Sequence, residues 1–203
     1  MKFINHKICA LLAGMVTLAT SATVMAEDGP AYKRHDLDLS QYNKFRLSEL
    51  SMENMQVLKP AWEDDPEAWT FPAGTRDEVQ RLFREIMTEE LSKDGGYPVV
   101  SDRGDDVITL EVELLSITPY VKPGTVSQSS GYVISTLGTG EVVVSAEFRD
   151  SVSRELLVLL EGERTVGDEY KEVSRENHEA NVRKLFATWG QKVRAAMDEA
   201  HSK

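Results

Sequence analysis

The run from Val107 to Ile117 constrains the fold more than any other stretch of the chain. Ile108, Leu110, Val112 and Leu114 alternate there with Thr109, Glu111 and Glu113. Successive side chains of a strand point to opposite faces, so this run buries one face and wets the other. One dry face and one wet face is the pattern of an antiparallel sheet.

Other strands fit beside it. Glu141 to Arg149 puts Val142, Val144, Ala146 and Phe148 on one face. The turn Asp150 to Arg154 then leads into a leucine-rich strand, Glu155 to Arg164. Earlier, Gln41 to Leu50 reads as a first strand, with Phe45 and Leu47 opposite Lys44 and Arg46. Tyr97 to Val100 is a short strand or an entry segment, and Asp102 to Asp106 is a polar turn. Residues 51–74 hold Pro60, Pro66 and Pro72 with Trp62 and Trp69, an irregular segment pinned by aromatics.

Two stretches have helical period. Thr75-Arg76-Asp77-Glu78 has the spacing of a capping box, and Val79, Leu82, Phe83, Ile86 and Met87 follow on one face. Asp94-Gly95-Gly96 ends that helix. The second helix spans His178 to Ala200, with Val182, Leu185, Phe186, Trp189, Val193, Ala196 and Met197 as a core stripe. The order is β-α-β-(long loop)-β-β-α. It predicts an α+β domain, a mostly antiparallel sheet of about four to five strands with two helices packed on one face.

The first 26 residues address the chain. Lys2 and Lys7 precede an apolar or small-residue run, Ile8 to Thr23, and Val24-Met25-Ala26 offers a cleavage site. This is the pattern of a secretory signal peptide, with an apolar core short for a membrane span. The expected organisation is a signal at 1–26, a flexible lead-in at 27–40 and a single domain at 41–200. The expected location is periplasmic or secreted, after cleavage near Ala26. Cleavage leaves 177 residues with no cysteine, since Cys9 lies in the leader. Cys9 stands near the start of the apolar run and not after it, so it does not read as a lipid acceptor. No later segment is long and apolar enough for a transmembrane helix.

Charge excludes one class of partner. The chain has 23 Lys and Arg against 34 Asp and Glu, a net charge of −11, and losing Lys2 and Lys7 makes it −13. Such a surface repels phosphate backbones, so nucleic acid is not expected as a partner.

Candidate chemistry is sparse. Glu63-Asp64-Asp65-Pro66-Glu67 and Asp102-Arg103-Gly104-Asp105-Asp106 are acidic, but neither has the regular ligand spacing of a calcium loop. They read as a solvated loop and a polar turn. After the leader the histidines are His35, His178 and His201, and no nucleophile-elbow motif accompanies them. Gly138-Thr139-Gly140 precedes a strand, the wrong side for cradling phosphate. No catalytic residue, metal ligand or cofactor is therefore expected. The segments that invite contact are the Trp62 and Trp69 region and the loop from Pro119 to Gly140, with its apolar island Tyr132-Val133-Ile134. Loops longer than about 12–15 residues are commonly functional. The island either engages a partner or joins the core as a short strand.

Several motifs occur in a familiar order. They are Asp38-Leu39-Ser40-Gln41-Tyr42 before the first strand, Tyr97-Pro98-Val99-Val100 after the first helix, and Asp106-Val107-Ile108-Thr109-Leu110. The turn Arg149-Asp150-Ser151-Val152-Ser153-Arg154-Glu155-Leu156-Leu157 and the closing Phe186-Ala187-Thr188-Trp189 complete the set. Together they resemble the bacterial domain-of-unknown-function family DUF3313, envelope proteins of the lipoprotein kind, over most of residues 38–200. Arg154 stands where that pattern expects glycine, Gly190 where it expects alanine, and the lipobox cysteine is missing. The resemblance implies a cell-envelope protein and supplies no catalytic residues.

The leading functional expectation is a non-enzymatic periplasmic interaction or assembly domain with an envelope protein as partner, its oligomeric state open. The alternative is a small-ligand or glycan-binding protein with Trp62 and Trp69 stacking on the ligand. A hydrolase of unrecognised type comes third.

Overall fold

The computed structural model describes residues 30–125 and 133–202. The expected signal peptide and Tyr132 lie outside them. In chain order the elements are β1 (Tyr32–Lys33), β2 (Lys44–Leu47), β3 (Gln56–Val57), α1 (Thr75–Ser92), β4 (Val107–Pro119), β5 (Ser135–Leu137), β6 (Gly140–Asp150), β7 (Leu156–Val166), β8 (Tyr170–Glu172) and α2 (Arg175–His201). The long elements follow the expected order, and the fold is α+β. Tyr32 and Lys33, within the expected lead-in, pair with β7.

The main sheet runs β1-β7-β6-β4, with β2 and β3 both on the outer edge of β4. The long strands β4, β6 and β7 are antiparallel. By contrast, β2 and β3 run parallel to β4. The chain reaches β4 from β2 through α1, and a helical crossover of this kind leaves its strands parallel. A separate ribbon pairs β5 with β8.

Register fixes the two faces. Leu110 stands opposite Phe148, and Phe148 opposite Val158; Val112, Ala146 and Leu160 form the next row. This face carries the helices. The other is charged, with Glu111 paired across from Glu147. Like charges in that position repel. Arg149 offsets this by donating to Glu147 at 2.7 Å with Glu111 at 3.5 Å, and Arg154 donates to Glu111 at 2.7 Å. The core lies between the dry face and the helices, where Phe83 of α1 meets Phe186 of α2 edge-on at 5.4 Å. Phe45, Leu91, Ile108 and Leu110 are fully enclosed.

The helix ends differ from expectation at one point. The capping box at Thr75 does not form. Thr75 is already helical, and the cap is Gly74 at φ 80°, where a glycine meets no Cβ penalty. The Glu78 carboxylate accepts from Arg81 at 2.8 Å instead. At the far end α1 stops at Ser92, where Asp94 and Gly95 both take positive φ. Ser174 caps α2 by accepting from the Asn177 N–H at 3.1 Å, so that helix starts before His178.

Two of the three departures from the family pattern, at Arg154 and Gly190, have a structural meaning. Arg154 sits at φ 67°, the left-handed region that glycine takes most easily. Gly190 of α2 is buried against α1, and a Cβ there would fall 2.7 Å from the Glu90 Cβ. Gly190→Ala therefore forces the helices apart. Overpacking costs about 1–3 kcal/mol against a helix-propensity gain of roughly 1 kcal/mol. A net loss in urea unfolding is expected, and a gain in stability would show that the helix pair yields freely.

Three tyrosines tie distant segments to carboxylates. Tyr42 donates to Asp150 at 3.0 Å, Tyr97 to Asp198 at 2.8 Å and Tyr120 to Glu141 at 2.9 Å. Burial first, and the carboxylate second, push each phenol up to about 12. A tyrosine in the unfolded chain titrates near 10. The stability these phenols contribute is thus complete below pH about 10 and is lost as pH rises towards 12. Urea unfolding measured at rising pH should show this loss. Tyr97→Phe should make it shallower, and an unchanged slope would remove Tyr97 from the account.

Candidate functional site

Three contacts fix where α2 lies. Near its start the Asn181 side chain fills the place of the missing Cβ of Gly167, 2.5 Å from it, and donates to Thr139 Oγ1 at 2.9 Å. In the middle, Gly190 rests on Glu90 of α1. Near the end, Asp198 accepts from Tyr97, whose ring lies 5.5 Å from that of His201. The helix therefore leans on α1. The sheet continues beyond it through β6 and β7, where small groups face the helix layer: Val144, Ala146, Val158 and Gly162.

The result is an open groove of about 550 Å³ between α2 and the sheet. Small-molecule pockets commonly measure about 300–1,000 Å³. Its floor is apolar, built from the partly exposed Val144, Ala146, Val158 and Leu160 and backed by the buried Ile108, Leu110, Val112 and Phe148. Leu185, Trp189, Val193 and Met197 of α2 form one wall, and Phe83 and Met87 of α1 close the back. Charge is confined to the rim, where Lys33, Glu161, Arg164, Asp168, Lys184 and Lys192 stand. One end is strapped by an ion pair, Lys184 Nζ to Asp168 at 2.6 Å. The Lys184 hydrogen bond holds the Asp168 carboxyl below its ordinary value. With no titratable group on its floor, the groove is suited to holding an apolar body and not to moving protons.

The residues singled out from sequence lie elsewhere. Trp62 is 69% exposed and leans on Tyr120, with ring centres 5.8 Å apart. Trp69 is only 4% exposed, and its indole N–H points at Asp65 at 3.4 Å. Enclosed in this way, Trp69 has no face to offer a ligand. Val133 is 75% exposed, whereas Ile134 is half-buried and its carbonyl accepts from the Val173 N–H at 2.8 Å. None of these residues lines the groove.

The acidic loop is occupied with itself. Glu63 accepts from the Asp65 N–H, Asp65 accepts from the Glu67 N–H, and Lys122 donates to both Asp65 and Glu67. The turn acid Asp106 pairs with Lys44 at 2.8 Å, which holds its carboxyl below the ordinary range. Among the described residues, no group of three or more His, Cys, Asp or Glu side chains is placed to hold a metal ion. Burial lowers the His178 imidazole below its ordinary value, and its Nε2 has no hydrogen-bond partner among the described residues. It therefore has no serine hydroxyl to activate from that nitrogen.

Sequence reasoning missed the groove. Period shows that Leu185, Trp189 and Val193 share an apolar face, but not whether that face is filled. One signal was present: Gly162 and Ala146 fall on the dry face of their strands, where bulky residues are the rule.

These features define a two-layer α+β protein with an open apolar groove under its last helix. The chain belongs to the family described as "Protein of unknown function (DUF3313)", whose model matches residues 17–193. Among curated proteins none matches it. Several solved structures are similar to it at low identity. A protein from Xanthomonas campestris is 12% identical at TM-score 0.42, covering 86% of this chain and 93% of that one. A PelC dodecamer from Paraburkholderia phytofirmans is 12% identical at TM-score 0.39, covering 74% and 88%. A candidate lipoprotein from Caulobacter crescentus CB15 is 9% identical at TM-score 0.39, covering 81% and 93%. With TM-scores below 0.5, neither assembly nor activity carries over from these proteins. No helix of the described residues is long and apolar enough to cross a membrane.

Proposed function

We propose that this protein is an exported, non-enzymatic binding domain of the bacterial cell envelope, and that it holds an apolar small molecule between α2 and the sheet. The observation that carries this is the groove itself. About 550 Å³ of space lined by Leu, Val, Ile, Phe, Met and Trp side chains lies open to solvent. A concave apolar space of this size, rimmed by a few polar groups, is the usual form of a small-molecule site. The leader at residues 1–26 supports export to the periplasm or the medium.

Trp189 gives the test a reporter, since it lines the groove while Trp62 and Trp69 lie away from it. The neutral probe N-phenyl-1-naphthylamine should brighten on binding and quench Trp189. Ala146→Phe, which fills the floor, should weaken probe binding by roughly tenfold or more, the equivalent of about 1.4 kcal/mol, with the fold retained. Binding unchanged by this substitution would place the probe elsewhere and overturn the reading.

A second reading, assembly with an envelope protein, draws on the exposed Trp62 and Val133. Under it, Trp62→Ala with Val133→Ser abolishes a crosslinked partner in cells and leaves probe binding intact. A crosslinking pattern unchanged by the pair would dismiss it.

A further inference from the structure

We infer that in the uncleaved chain the groove is occupied by the leader itself, with residues 8–23 laid between α2 and the sheet, so that the site opens to a ligand only once residues 1–26 are removed. This rests on the groove being the binding site and adds what keeps it closed before export. The path of the chain carries the argument. β1 pairs antiparallel with β7, Tyr32 opposite Leu159 and Lys33 opposite Val158. Followed back towards its start, that register carries the chain along β7 towards Leu160 and Glu161, which line the groove, and Pro30 lines it too. Beyond Leu159 the outer edge of β7 pairs with no other strand among the described residues. Residues 1–29 thus join the described chain at the groove's own lip.

Reach and composition fit. Thr23 stands seven residues before Pro30, and an extended link of that length spans at most about 25 Å. Residues 8–23 carry no charge, and wound as a helix they would be about 24 Å long. That winding puts Ile8, Leu11, Leu12, Met15 and Val16 on one face, and Ala10, Ala13, Gly14 and Thr17 on the other. Targeting requires an apolar core, but not one sorted into a bulky face and a small one. Apolar anchors at i, i+3, i+4 and i+7 are the pattern of a helix received by an apolar groove. The groove offers them apolar lining from Val144, Ala146 and Leu160 on the sheet and from Trp189 and Val193 on α2. A short tether holds its cargo at an effective concentration of about 1 mM, so a leader contact as weak as about 0.1 mM still weakens a competing probe roughly tenfold.

The experiment compares N-phenyl-1-naphthylamine binding, read as quenching of Trp189, in the full chain made free of signal peptidase and in the same chain cleaved after Ala26. Cleavage should tighten probe binding roughly tenfold. Leu11→Asp with Leu12→Asp in the uncleaved chain should give the same gain, because it spoils the leader's bulky face and leaves the domain untouched. Cys9 is the chain's only cysteine, so a naphthalene label there should accept energy from Trp189. That transfer should fall in Ala146→Phe and hold constant on dilution. Equal probe binding before and after cleavage overturns leader occupancy while the groove remains a binding site. Transfer that falls on dilution places the leader in a neighbouring molecule and overturns it as well. No binding of the probe by any of these chains overturns the groove reading itself.

Discussion

The groove depends on one close approach. Gly190 lets α2 settle onto Glu90 of α1, and with Asn181 and Tyr97 it sets the line along which the helix runs. With the helices in place the dry face of β4 is buried, whereas Leu160 of β7 stays exposed. The sheet does not compensate, because the residues beneath the gap, Val144, Ala146, Val158 and Gly162, are too small to fill it. Protein interiors ordinarily approach crystal-like packing. An apolar gap lined by side chains this small is therefore a shape the sequence specifies, not slack in the core.

The sheet is only partly covered on one face, at Val144, Ala146, Val158 and Leu160 of β6 and β7. Its reinforcement is on the other face and at the turns. Arg149 and Arg154 bridge the opposed acids of β4 and β6. Asp150 fastens the β6–β7 turn by accepting from the N–H groups of Val152 and Ser153 and from the Tyr42 hydroxyl. Burial works against its ionisation, yet these bonds hold its carboxyl below the ordinary value. The turn thus clamps β6 to β7 at one end, and β1 adds a short pairing to the outer edge of β7. Exposed surface ion pairs contribute little singly. Joined through shared arginines across a sheet face, they fix register more than they add stability.

Much of this architecture was legible in the chain. The alternation at Ile108, Leu110, Val112 and Leu114 gave the central strand and its dry face, and the stripe from Val182 to Met197 gave α2. What could not be read has identifiable causes. β1 and β3 are two residues long and β5 and β8 three, too short to show a period. The parallel pairing of β2 with β4 is a property of the α1 crossover and not of either strand's composition. The capping box failed because Gly74 took a left-handed turn one residue earlier and moved Thr75 inside the helix. Trp69 and Trp62 look alike in sequence, in one proline-rich segment, and only the path of that segment buries one and exposes the other. The groove escaped for a deeper reason. A hydrophobic stripe reports that a helix face avoids water, and a ligand wall satisfies that condition as well as a core does.

The same ambiguity limits what the floor says about function. Apolar lining says only that something apolar belongs there, and many molecules qualify. Lys33, Arg164, Lys184 and Lys192 come from three separate elements, yet the topology brings them to one mouth. Lys184 and Asp168 show how the mouth is held in shape, with a strap between α2 and the turn after β7 at the end where Gly167 seats Asn181. The helix is thereby fixed at the strapped end and along α1.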